Sequence, residues 1–72
     1  MKISRKKTYK VWALDLDGKQ FAPSIVESFS NLREIHHTVK QQFWNKTIKT
    51  IHIYCINDDS YAVYNSNMVR LY

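Results

Sequence analysis

The chain has 72 residues, 44% of them hydrophobic and 14% aromatic, and its 11 Lys and Arg residues outnumber 6 Asp and Glu for a formal charge of +5. That length gives one domain, near the size at which a single apolar core only just offsets an ordering cost of roughly 1 to 2 kcal/mol per residue. Two usual supports for a small domain are excluded: Cys55 has no second cysteine to pair with, which also favours a reducing compartment, and His36, His37, His52 and Cys55 lack the paired spacing of a closed zinc site.

In chain order, Lys2, Arg5, Lys6, Lys7 and Lys10 come first, and no acidic residue precedes Asp15. Residues 1–7 read as a disordered basic arm, and clustered like charge makes a local field that attracts a polyanion or an acidic surface. Residues 8–16 have strand composition. Asp17 and Gly18 then signal a hairpin, since Gly18 accepts the positive φ of a type I′ turn. The chain returns through Lys19 to Ala22, and Pro23 confines the return strand to a sheet edge because proline has no N–H to donate.

Two starts compete for the helix that follows. Ser24 and Glu27 form a capping box, with Ile25, Phe29, Leu32, Ile35, Val39 and Phe43 at helical spacing. Against this, Ser28, Ser30 and Asn31 favour caps over helix interiors, which supports a shorter helix from Leu32 and leaves residues 24–28 in the return strand. The shorter helix is preferred, with Leu32, Ile35, Val39 and Phe43 inward and Arg33, His37, Lys40 and Gln41 in water. Residues 47–56 give a third strand, Asn57 to Asp59 a turn, residues 60–64 a fourth strand and Met68 to Tyr72 a candidate fifth.

The expected fold is α+β, a small ββαββ or ββαβββ domain with one helix packed on an antiparallel sheet, in a connectivity that loosely resembles the β-grasp. The third strand then runs opposite to the first and carries Asp58 and Asp59 back towards Lys6 and Lys7, neutralising part of the basic arm. One helix covers one side of the sheet. Setting Trp12, Leu14, Ile51 and Ile53 against the helix leaves Tyr9, Val11, His52, Tyr54 and Ile56 on the uncovered face, with Tyr61 or Tyr64 nearby. Such a face is too apolar for water alone and implies a partner.

The run Ala13, Leu14, Asp15, Leu16, Asp17, Gly18 resembles the first motif of haloacid-dehalogenase-type phosphatases, in which an Asp nucleophile ends a strand and a second Asp two residues on acts as acid and base. That family needs a much larger doubly wound domain, a magnesium site with further acidic residues, and Thr or Val where this chain has Lys19. A strand ending in Asp-Gly also serves a hairpin, so no catalytic, metal or cofactor-binding residue is assigned and the chain is read as non-enzymatic. His36 and His37, adjacent on a helix, point about 100° apart and cannot grip one metal together. Cys55 is expected to be buried and unreactive.

The leading expectation is a nucleic-acid-binding module, with Lys2, Arg5, Lys6, Lys7 and Lys10 on phosphates. Tyr9, His52, Tyr54, Tyr61 and Tyr64 would form a partner-binding face on which bases stack. Few cations face outward from the helix, so sequence-specific reading of a duplex is not supported. The alternative is a protein-interaction module or inhibitor from a phage or mobile element, acting on a host protein through that face or pairing as a homodimer. No segment is apolar enough to span a bilayer and no secretory signal is visible, so a cytoplasmic location without a membrane partner is expected.

Overall fold

The computed structural model describes residues 6–72. Four strands, β1 (Lys7–Leu14), β2 (Ile25–Phe29), β3 (Thr50–Cys55) and β4 (Ser60–Asn65), form one antiparallel sheet in the order β2-β1-β3-β4, and helix α1 (Leu32–Gln42) lies between β2 and β3 in sequence. This is the ββαββ arrangement that the residue pattern predicts. Residues 68–72 form no fifth strand; they contribute one bridge, Tyr64 to Arg70, beside β4.

The hairpin after β1 differs in detail from the sequence expectation. A type I′ turn needs positive φ at both central residues. Only Gly18 has it, at 83°. The loop instead closes through Gly18 N–H to Asp15 O at 3.0 Å and Asp15 N–H to Lys19 O at 2.9 Å. That is a tight turn followed by a left-handed glycine, the geometry of a three-residue hairpin loop. Asp15 Oδ1 also accepts from the N–H groups of Asp17 and Lys19, so this carboxylate holds the turn together. The return arm passes the cis Ala22–Pro23 bond and joins the sheet as its edge strand, β2, where proline is tolerated.

The shorter helix is the one that forms. Asn31 is its N-cap, accepting from Glu34 N–H at 3.0 Å, and Glu34 turns back to accept from Ser30 N–H at 2.6 Å. These contacts satisfy donors that the first turn leaves without partners. Ile35, Val39 and Phe43 are buried against Val11, Ala13, Ile25, Phe29, Ile51, Ile53 and Tyr64. Leu32, expected inward, is exposed at the helix start. His36 is half-buried, with Nε2 3.2 Å from Ser66 O, while His37 is exposed.

Cross-strand register overturns the expected phase of β1. Directly opposed residues share a face, and Val11 lies opposite Ile25 and Ile53 while Ala13 lies opposite Ile51. The helix therefore covers Tyr9, Val11 and Ala13, and Trp12 and Leu14 stand on the uncovered side with His52 and Tyr54. The physical reason is fit. Val11 and Ala13 are small enough for a helix to pack closely over them, whereas the Trp12 indole needs the space that the open side provides.

Candidate functional site

The open face of the sheet is built by strand alternation. One row across it reads Val26, Lys10, Tyr54 and Tyr61, and the next reads Trp12, His52 and Val63. Successive rows lie about 7 Å apart, two residues along each strand. Three rings gather in the centre: Trp12 stacks on His52 with centroids 5.4 Å apart and planes at 13°, and Tyr61 lies 6.1 Å from Trp12 and 5.8 Å from His52. Lys10 Nζ sits 5.9 Å from the Trp12 ring centroid, within range of a cation–π contact. Val26 and Tyr61 remain more than half exposed, at 56% and 51%. Among the described residues no helix covers this side. The chain reaches only its corner, where Leu71 N–H donates to Val63 O at 2.7 Å.

His52 is the polar centre of the cluster. Its Nδ1 shares a hydrogen bond with the Tyr61 hydroxyl, and its Nε2 is 3.1 Å from Thr50 Oγ1. Partial burial among the rings holds its pKa below the ordinary histidine value, which favours a neutral imidazole that donates from one nitrogen and accepts at the other. Tyr54 donates to Asp59 Oδ1 at 2.6 Å, and this hydrogen bond raises the phenol's pKa above its usual value. Asp59 is held in the turn with a φ of 53°.

Five residues were expected on the partner face, and the structure divides them. His52, Tyr54 and Tyr61 are on it. Tyr9 and Tyr64 are not: Tyr9 lies opposite Glu27 and Cys55 on the helix side, its ring 6.2 Å from Phe29, and Tyr64 is only 8% exposed within the core. Trp12 is the residue that the sequence reading misplaced, and it occupies the middle of the site. Its even parity with Lys10 along β1 was the available signal, since both must face the same way.

The basic group is divided as well. Lys2 and Arg5 lie outside the described residues. Lys6 is exposed. Lys7 belongs to β1 rather than to an arm, and its ammonium group pairs with Asp58 at 2.5 Å, both side chains about half exposed at 45% and 48%. The pair raises the Lys7 pKa and lowers that of Asp58, chiefly through their hydrogen bond. Asp58 is brought there by the reversal between β3 and β4, as antiparallel β1 and β3 require. Of the three described cations in this group, Lys10 alone is placed by strand alternation beside the aromatic cluster. Cys55 is buried, with Sγ 3.6 Å from Asp58 Oδ2.

A second aromatic and basic region lies at the other end of the molecule. The turn after α1 is closed by Lys46 N–H donating to Phe43 O at 3.0 Å, which places Trp44 at its apex with 80% of its surface exposed. Lys40 and Lys46 flank it. Comparison with known protein families, with characterised proteins and with solved structures gives no significant match for this chain.

Proposed function

We propose that this chain is a non-enzymatic module that binds single-stranded nucleic acid on the open face of its sheet. The observation that carries this reading is the placement of Lys10, Trp12 and His52 on the two central strands, β1 and β3, with Tyr61 beside them and no helix over them. Single-strand binding surfaces combine aromatic side chains that take bases with cations that take the intervening phosphates. Lys10 and Lys49 are exposed cations at or near this face. Two phosphate contacts give a slope of log affinity on log salt of about −1.4. A titration of fluorescently labelled oligothymidylate at several salt concentrations tests the reading. It predicts that slope and a flattening of about 0.7 in Lys10→Ala. Affinity that does not change with salt contradicts it.

One observation favours a second reading. Trp12, His52 and Tyr61 already stack on one another, and Asp58 takes up the charge of Lys7, a state that suits an apolar protein partner or a second copy of the chain. In that case Trp12→Ala abolishes an association that is insensitive to salt, and sedimentation of the purified chain shows whether the partner is the chain itself.

A further inference from the structure

A hollow of about 480 Å³ lies between the end of α1 and the turn after β4, lined by Lys40, Phe43, Trp44, Lys46, Thr47 and Ser66. Three features set it apart from ordinary surface. Phe43 gives it an apolar floor, itself buried and stacked on Phe21 at 5.4 Å. Trp44 stands in solvent with nothing packed over it, although a free indole is costly to expose and its burial elsewhere would stabilise a small core. Lys40 and Lys46 line the rim, with the Lys46 ammonium 6.0 Å from the Phe21 ring centroid, and the only ion pair among the described residues is elsewhere, between Lys7 and Asp58.

The hollow is joined to the open face of the sheet by the chain itself. Residues 46–49 run from its rim to the start of β3, where Lys49 N–H donates to Leu14 O at 2.9 Å. Lys49, Thr50 and His52 line a shallow depression on the open face, and Lys46, Thr47 and Ile48 line the hollow beyond the end of the sheet. From His52 to Lys46 the extended backbone spans about 20 Å at most. Cations therefore recur at Lys10, Lys49, Lys46 and Lys40 between the two tryptophans.

We infer that this hollow takes one unpaired nucleotide of the same strand, with its base against the Trp44 indole and its phosphate between Lys40 and Lys46. The inference rests on the proposed single-strand function and extends that site around the end of the sheet. The volume suits one base and its sugar, at the small end of ligand pockets. An indole beside two lysines suits an aromatic anion better than an apolar peptide, which would leave Lys40 without an anionic partner and Lys46 with only the Phe21 ring. Asp15 and Asp17 line an adjoining depression on the far side of Lys46 and oppose a phosphate there. Asp17→Asn should accordingly tighten binding.

Two single-tryptophan variants separate this inference from the proposed function. Trp44→Phe leaves Trp12 as the only tryptophan, excited selectively at the red edge where the five tyrosines do not absorb, and Trp12→Phe leaves Trp44. With an oligothymidylate of about 12 nucleotides, within the range that single-strand domains accommodate, both reporters should be quenched over the same concentration range. Replacing Lys40 and Lys46 by Ala should flatten the salt slope of the Trp44 signal by about 0.7, the loss of one phosphate contact. Quenching of Trp12 with a silent Trp44 overturns the inference and leaves the sheet-face reading standing. Silence of both overturns both. Polyglutamate is the control for charge alone, and equal quenching of Trp44 by it would show that no base stacks there. Trp44 is exposed, so its replacement by Phe does not put the fold at risk.

Discussion

The two sides of this sheet are made from the same strands, and nearly the same kinds of residues, yet they do different work. The middle of the side under α1 is closed by aliphatic residues, Val11, Ala13, Ile51 and Ile53, each less than 5% exposed. The other side carries Trp12, His52, Tyr54 and Tyr61, and Trp12, His52 and Tyr61 lean on one another in the absence of a second layer. At the middle of the two central strands, size rather than hydrophobicity separates the two sides. A helix needs a shallow surface to approach, whereas large planar side chains on a twisted sheet leave ring edges and partial faces for a ligand.

The largest contrast is expected from matched truncations on β3 and β1. Ile51→Ala on the covered side removes a fully buried side chain and should cost about 2 to 5 kcal/mol, a large share of what a domain of this size has. Trp12→Ala on the open side should leave the chain folded and lower affinity for oligothymidylate about tenfold to a hundredfold, the loss of about 1 to 3 kcal/mol of stacking. Chemical denaturation together with binding curves reads both. If Trp12→Ala unfolds the protein as readily as Ile51→Ala, the open side is core and the contrast disappears.

A smaller contrast comes from the tyrosines that the structure divides. Tyr64→Ala should destabilise the fold more than Tyr61→Ala, because the first vacates the core and the second trims a half-exposed ring. The reverse order, measured by urea midpoints, would place β4 the other way round.

Acidity gives the smallest effect and sharpens the account of His52. Burial lowers its folded pKa below the unfolded value of about 6.5. Between the two values the unfolded chain binds more protons. Stability from this group is therefore fully present above about 6.5 and is lost as pH falls towards the folded value. The urea midpoint should fall slightly from about pH 7 to about pH 5, and His52→Gln should remove part of that fall.

Much of the fold is legible in the residues. Pro23 places β2 at an edge, the cap at Asn31 sets the helix start, and antiparallel β1 and β3 bring Asp58 to Lys7. The phase of β1 is not legible, because both of its faces are apolar: Val11 with Ala13, and Trp12 with Leu14, each look like a core face. Only register across β3 distinguishes them. That ambiguity is why Tyr9 and Tyr64 are expected on the partner face and Trp12 is not. Trp44 escapes for a related reason, since Phe43 beside it satisfies the helical spacing and the turn that turns Trp44 outward depends on a backbone hydrogen bond that composition does not reveal.

The most direct measurement follows side-chain resonances as oligothymidylate is added to isotopically labelled protein. The account predicts that the Trp12 indole N–H and the methyl groups of Val26, on the open side, move early and together, while the methyl groups of Val11, Ile51 and Ile53 stay in place. Shifts confined to the methyl groups beneath α1, or no shifts at any ratio of ligand to protein, would contradict it.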